Sequence, residues 1–530
     1  MKRISLLPVL LSLAVLPAQA QEANWNRTLE RIATAVVSIR IDSPRAFDTE
    51  RNLSSQATGF VVDAERGLIL TNRHVVTPGP VRAQAIFLNQ EEVDLSPVYR
   101  DPVHDFGFFQ FDPNELQFMQ PAELTLAPGA AQVGKDIRVV GNDAGERLSI
   151  LAGTIARLDR EAPNYGVGNY NDFNTFYLQA ASGTSGGSSG SPVIDIEGQV
   201  VALNAGANTQ AASSFFLPLD RVAVALDAIR EGRPVMRGTL QTEFVHKPYA
   251  ELRRLGLHRD TEARMRAAFP SLTGLLVVER VLPGSEAADV LLPGDILLSV
   301  GGEPIAEFVP LAERLDASVG APIEVVVERG GERIEREIVV DDLDRITPSE
   351  FIEFGDGVFH ELSYQQARHF YRPVEGIFVA NPGYVFGTAA IPRTSLITEF
   401  NGERVSTLDE FEAALSRIPL DAQIRVRYVT IDDPNNERQR IFNNYSAWFR
   451  SVRCARDDAT GEWPCRELTL NRTVADRAPQ ETTFPPENER HVQNIVPSLV
   501  LVNFSMPYTV SGVSDRYYYG TGLIVDAERG

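Results

Sequence analysis

Several things are scarce in this sequence, and each shortage closes off a class of function. Among 530 residues there are two cysteines and seven histidines, and beyond the first twenty positions no apolar run is long enough to span a bilayer. Positive charge is also short: 50 Lys and Arg face 71 Asp and Glu, a net charge of −21. A chain this acidic repels nucleic acid and anionic lipid, so neither is an expected partner. No second Cys/His pair lies near the cysteines with ligand spacing, and no metal or cofactor is expected. Cys454 and Cys465 flank a turn centred near Thr460 and Gly461, which would set them opposite each other across a hairpin. In an oxidising compartment a disulfide is the natural expectation, with two free thiols or half a metal site as the alternatives.

The N-terminus fits such a compartment. Lys2 and Arg3 precede an apolar stretch from Ile4 to Leu16 and a small-x-small ending, Ala18-Gln19-Ala20. This is the pattern of a secretory leader cleaved after Ala20. A membrane anchor is the rival, but Ser5, Pro8 and Ser12 interrupt the run, which falls short of the ~20 residues a span needs. The length of the chain points to roughly three or four domains.

From Ala35 to Leu219 short β-type runs alternate with Gly, Pro, Asn and Asp turns, the spacing of a β-sandwich or barrel. Within it His74 ends the second strand of a hairpin, Asp105 heads an apolar strand, and Ser189 sits in a glycine-rich turn before another strand. The order His, Asp, Ser, with separations of 31 and 84 residues, is that of chymotrypsin-type barrels. Each residue type is demanded by acyl transfer. A serine hydroxyl is a weak nucleophile and needs an imidazole to take its proton; the imidazole needs a buried carboxylate to fix its tautomer. The amides of Gly187 and Ser189 can converge on an oxyanion, worth about 3 to 4 kcal/mol per donor. Singly, these residues read as a strand-end histidine, a turn cap and a flexible linker; the function rests on their joint order. Of the seven histidines only His74 and His104 lie in this region, and alternation points His104 away from Asp105. Gly186, Ser188 and Gly190 also match the nucleophile elbow of an α/β-hydrolase, but Pro192 and a β-type run follow where a helix is required, and the acid and histidine come too early.

Thr71-Asn72-Arg73-His74-Val75, His104-Asp105-Phe106-Gly107 and Gly187-Ser188-Ser189-Gly190-Ser191-Pro192 resemble the signatures of the HtrA/DegP serine proteases over residues 35–230. The usual turn there is Gly-Asn-Ser-Gly-Gly-Pro, so Ser188 and Ser191 are departures. The wording around Asn142 and from Tyr170 to Asn174 is closer to the long tandem-protease subfamily known from fungi as pro-apoptotic nuclear serine proteases. The resemblance implies a mainly β chain: a trypsin-like double β-barrel, two PDZ-like α+β modules and the start of a second protease-like barrel. It also implies a specificity pocket walled near Asn204, Ala205 and Gly206, clients that are unfolded or misfolded polypeptides in the cell envelope, a periplasmic address, and a homo-oligomer as an open option. A non-proteolytic chaperone or scaffold on the same fold is the competing function.

The amphipathic stretch ending at Gly232 and Pro234 marks the first boundary. Val281 to Ile305 resembles the centre of a PDZ domain, and Gly376 to Leu415 is a fainter copy in which Pro392, Arg393 and Thr394 replace the Gly-Asp turn. By resemblance the carboxylate-binding loops are Gly238, Thr239, Leu240, Gln241 and Gly357, Val358, Phe359, His360; Gln241 and His360 stand where glycine is usual, which leaves capture of peptide C-termini open. The expected division is therefore 1–20 leader, 21–232 protease, 233–345 and 346–480 PDZ-like modules, and 481–530 a truncated barrel. The last expectation comes from a repeat: residues 520–530 match 57–67 at eight of eleven positions, at an offset of 463. Two strands of a barrel leave open edges, so the tail is expected to belong to a longer protein and to be poorly ordered or laid against the preceding module.

Overall fold

A computed structural model describes residues 16–142, 148–181, 183, 186–208, 213–474, 488–505 and 517–529. Most of the expected leader lies outside these residues. A helix at Leu16–Ile32 runs through the expected cleavage point, and its later half packs on the body of the protein: Trp25 and Ile32 are buried, and Thr28 donates to Ile196 O at 2.7 Å.

Six strands, β1 Val36–Asp42, β2 Ser54–Asp63, β3 Leu68–Thr71, β4 Arg82–Ile86, β5 Glu92–Arg100 and β6 Gly107–Gln110, close into a barrel in the order β1-β2-β3-β6-β5-β4. Six more, β7 Asp136–Gly141, β8 Ser149–Glu161, β9 Phe176–Ala180, β10 Pro192–Ile194, β11 Val200–Asn208 and β12 Ser213–Leu217, close in the order β10-β11-β12-β9-β8-β7. Closure satisfies every strand edge, which open sheets of this size cannot do. Each barrel has its own apolar filling, and a third cluster forms the seam: Phe60, Leu70, Phe106 and Phe108 of the first barrel meet Val140, Tyr177, Ile194 and Leu203 of the second. A helix at Asp220–Arg230 closes the unit, burying Val222 and Leu226 against that seam.

A five-stranded antiparallel path follows, ordered Thr242–Pro248, Gly274–Val281, Ile296–Val300, Pro322–Arg329 and Glu332–Val339, with the helix Phe308–Asp316 laying Phe308, Leu311 and Leu315 on it. The next sheet runs Asp433–Asn443, Gln423–Thr430, Ser395–Phe400, Ile377–Asn381, Gly357–Glu361, Glu350–Phe354, Val452–Ala455 and Cys465–Glu467. Its helix Leu408–Ser416 starts in a capping box between Thr407 and Glu410. Cys454 and Cys465 are register partners on the last two strands and are joined by a disulfide.

The second proposed carboxylate loop is corrected here. Gly355 and Asp356 have φ of 58° and 67°, the left-handed pair of a two-residue hairpin turn, so Gly357–His360 is strand rather than loop. His360 is fully buried and accepts the Asp48 N–H through Nε2 at 2.8 Å. In the first proposed loop, Gly238–Thr239 form a two-residue strand paired with Asp341–Asp342, and two donors are engaged: Gly238 N–H goes to Asp316 Oδ1 at 2.9 Å and Gln241 N–H to Thr239 Oγ1 at 2.8 Å.

Near the end, Leu499–Ser505 and Tyr517–Leu523 pair as a separate hairpin. Val500 faces Gly522 and Val502 faces Gly520, the register in which Val37 faces Gly59 and Ile39 faces Ala57 in β1 and β2. The 463-residue repeat is thus one of pairing as well as of sequence. Leu501 and Val525 stay exposed on this hairpin. Among the described residues no helix is long and apolar enough to cross a membrane.

The junctions between units combine an apolar cluster, in which Phe47, Val103 and Phe173 meet Leu282, Leu343 and Phe351, with buried charge. Arg73 and Asp48, 1% and 2% exposed, pair at 3.1 Å, and Asp48 also accepts from Ser363 at 2.6 Å. Breaking a buried pair strands a charge. Asp48→Ala is expected to cost about 3 to 5 kcal/mol, read as a lower midpoint in guanidinium unfolding.

Candidate active site

His74 lies on the single helical turn Arg73–Val76 that follows β3, and Asp105 lies in the tight loop before β6. Pairing of β3 with β6 brings the two together, Thr71 opposite Gly107. The His74 N–H donates to Asp105 Oδ1 at 3.1 Å, and the ring Nδ1 sits 3.0 and 2.9 Å from the two carboxylate oxygens. Both contacts require the proton on Nδ1, which leaves Nε2 as the basic nitrogen. Burial opposes a charged imidazole, but Asp105, by charge and hydrogen bond, and Glu50 outweigh it and raise the His74 pKa to about 9. A third of the side chain, 34%, stays open to solvent, which screens part of that pull. His104 is the opposite case: buried, with Arg237 adding to the effect of burial, its pKa falls to about 3, so its imidazole is too weakly basic to take the serine proton.

Ser189 belongs to the second barrel, in the turn before β10. Its hydroxyl region is half-buried, whereas Ser188 is 3% exposed and is braced by Asn204, whose Nδ2 donates to Ser188 O at 2.7 Å and meets Oγ at 3.2 Å. Gly190 has φ of +82°, and a Cβ there would come within 2.1 Å of Thr58 O, so only glycine lets the turn press on β2. Gly187 is also left-handed, φ +97°. Neither Gly187 N–H nor Ser189 N–H donates to another described residue. No hydrogen bond joins Ser189 to His74 among the described residues; such contacts commonly tighten only with substrate bound.

The proposed pocket residues do not form one wall. Asn204 is fully buried beneath the serine turn, Ala205 is buried in the seam, and Gly206 alone faces outward, with the Tyr165 hydroxyl 2.6 Å from where its Cβ would stand. Thr58 escaped the sequence entirely. Its N–H donates to Ser189 O at 2.8 Å, its hydroxyl donates to Gly187 O at 2.9 Å and accepts from Asn142 N at 2.9 Å, and its carbonyl accepts from Thr71. A threonine in a strand carries no local signal for such a role. Among the described residues no group of three or more His, Cys, Asp or Glu is placed to hold a metal ion.

Two family models match parts of the chain. A model described as "Trypsin-like peptidase domain" matches residues 57–203, and one described as "PDZ-like domain" matches 345–421. The chain is similar to "Pro-apoptotic serine protease nma111" of Aspergillus oryzae, 46% identical over 519 residues that cover 97% of this chain and 50% of that protein. It is similar to "Protease Do-like 7" of Arabidopsis thaliana, 48% identical over 460 residues, 84% of this chain and 42% of that protein. The chain therefore spans about half the length of the curated relatives it matches. Among solved structures, "HtrA-type protease AlgW with decapeptide" superposes with a TM-score of 0.44 at 20% identity, covering 60% of this chain and 98% of that one.

Thr58→Val keeps the shape of the residue and deletes its hydroxyl, leaving Gly187 O and Asn142 N–H without their partner. It is expected to lower stability by about 1 to 3 kcal/mol in a thermal melt, with Thr58→Ser close to the original protein.

Proposed function

The chain belongs to the HtrA-like, trypsin-type proteases with PDZ-like modules, and we propose that it is a serine endopeptidase in which Ser189 is nucleophile, His74 base and Asp105 the orienting carboxylate. The observation that carries the proposal is the His74 ring held through Nδ1 by both oxygens of a buried Asp105, with Nε2 bound to no described residue. Ser189 Oγ gives its proton to Nε2 and attacks the peptide carbonyl; the oxyanion is received by Gly187 N–H and Ser189 N–H. His74 then returns the proton to the leaving amine, and water repeats the sequence on the acyl-enzyme. Residues 21–232 form the protease unit, 233–345 and 346–480 the two modules, and 481–530 the start of a second, barrel-like unit.

We place the activity on unfolded or damaged polypeptides in the cell envelope. The leader pattern and the Cys454–Cys465 bridge support an exported address, for which the intact mass of secreted protein should begin at Gln21 and lie two hydrogens below the all-thiol value.

Ser189→Ala is expected to abolish casein cleavage and labelling by an alkylphosphonate probe at unchanged melting temperature, while Ser188→Ala retains most activity. A peptide map carrying the label on Ser188 refutes the assignment. The base must be neutral to accept a proton, so activity falls as the pH drops through the His74 value. Because that value is raised, the acid limb of kcat/KM should lie above the ordinary 6.5 and no higher than about 9. An acid limb at or below 6.5, or activity persisting in His74→Ala, contradicts it.

A further inference from the structure

Behind the His74–Asp105 pair stands a second carboxylate that acyl transfer does not use. Asp172 lies in the segment between β8 and β9, 9% exposed, and its Oδ2 accepts the Asp105 N–H at 3.2 Å and the Tyr177 hydroxyl at 2.6 Å. Two residues earlier, the Tyr170 hydroxyl donates to Val103 O in the loop that carries Asp105. The Asp105 carbonyl is taken separately by Asn72 Nδ2 at 2.9 Å. Every polar handle on Asp105 is therefore occupied, and the handle on its N–H is a buried acid set against another acid, an arrangement that electrostatics alone disfavours.

We propose that Asp172 is a positioning residue of the reaction centre, fixing the main chain at Asp105 so that both carboxylate oxygens meet the His74 ring. The proposal rests on the triad described above. Asp172 is itself rigidly placed. Asn174, two residues on, donates to Thr242 O at 2.9 Å and accepts from Phe244 N at 2.7 Å, and the Arg368 guanidinium lies 3.5 Å over the Phe173 ring while Nη1 donates to Asn171 O at 3.1 Å.

The charges around it fix the sign of the effect. Burial first, then the Asp105 charge, draw the Asp172 pKa up to about 7, while the Tyr177 and Tyr170 hydroxyls favour its ionised form. Across Asp105 from it lies the helical turn after β3, with His74 on the Asp105 carboxylate and the Arg73 guanidinium 4.3 Å over Tyr170. From the second module come Arg368, already paired with Glu243 at 2.8 Å, and His369, whose pKa burial lowers; His104, on the Asp105 loop, stays neutral. Ionised Asp172 thus adds negative charge behind Asp105 and favours protonated His74. Removing that charge destabilises the imidazolium and moves the acid limb of activity to lower pH.

The test uses the full chain with Asp172→Ala, Asp172→Asn and, alongside them, Asp105→Asn and Ser189→Ala, each assayed for kcat, KM and pH profile on an unfolded casein substrate. Asp172→Ala, which loses the acceptor for the Asp105 N–H, is expected to lower kcat by about tenfold or more with KM little changed. Asp172→Asn restores an acceptor without the charge; it should recover most of that kcat and shift the acid limb down by about half a pH unit. Should Asp172→Ala fail to fold, the shift in Asp172→Asn still decides. An Asp172→Asn limb that coincides with the original protein, or an alanine variant with unchanged kcat, overturns the proposal. If Asp105→Asn and Ser189→Ala are inactive in that same assay, only the positioning role falls; if they retain activity, the triad falls with it.

Discussion

The proposed reaction centre is divided between two closed barrels, and everything else in the structure depends on the seam that holds the halves in register. The first barrel owns His74 and Asp105, which pair at 2.9 Å, with the Asp105 N–H held by Asp172 of the second barrel. The second owns Ser189. Relative position is then set by β2, where Thr58 grips Ser189 O and Gly187 O, and by Gly190, whose missing Cβ lets the turn approach Thr58 O. Hydrogen bonds of this kind contribute only about 1 kcal/mol each, so they specify alignment rather than supply cohesion. Cohesion comes from the apolar seam, where side chains such as Phe60, Phe106, Phe108 and Tyr177, each at most 1% exposed, interlock.

Ion pairs recur around the joins between units, one within the first barrel, one between the two modules and one between the first module and the first barrel. Arg73–Asp48, Arg368–Glu243 and Arg237–Asp101 are ion pairs with both partners largely or wholly withdrawn from solvent. Desolvating two charges offsets most of what their attraction returns, so such pairs add little net stability over an apolar contact. What they do supply is intolerance of misplacement, since a shift that parts them strands a charge. All three lie close to functional backbone: Arg73 precedes His74, Arg368 bonds the segment that carries Asp172, and Asp101 accepts the Val103 and His104 N–H groups in the Asp105 loop. The modules are seated as part of the site's framework, not hung from a flexible tether.

That framework explains which parts of the protein were readable from the sequence. His74, Asp105 and Ser189 announce themselves because each sits at a strand end, where a β pattern breaks at a chemically distinctive residue. Even strand spacing from Ala35 to Leu219 pointed to a sandwich or barrel, and the resemblance to the HtrA/DegP proteases supplied the double barrel that the strands form. Thr58 and Asp172 act through contacts 129 and 67 residues away, and nothing local marks them. By resemblance the strand after Gly198 walls the pocket, yet Asn204 on that strand turns its amide inward to Ser188. The second carboxylate loop was misplaced for a different reason. Gly355-Asp356 form a hairpin turn, so Gly357, the glycine to which the resemblance assigns the loop, begins a strand instead.

The two modules also differ in what their sheets still offer. A PDZ-type sheet takes an extended chain by adding it to an exposed strand edge. In the second module that edge, on Gly357–Glu361, is already covered by Glu350–Phe354, which pairs through three registered residues and sends Ile352 and Phe354 into the core beside Leu408 and Phe411. Uncovering it would break a ladder on both sides of the covering strand, because Val452–Ala455 pairs with its far edge. In the first module the edge of Thr242–Pro248 is capped by a single side chain, Asn174, whose amide imitates a peptide group with one hydrogen bond given and one received, while the ring of Phe176 rests 5.0 Å from Phe308 in the groove. Exchanging a side-chain mimic for real backbone costs two hydrogen bonds and returns at least as many, whereas displacing an integral strand costs a sheet. The physical asymmetry between the modules therefore lies in how each edge is closed, and the first is closed by the segment that also reaches Asp105.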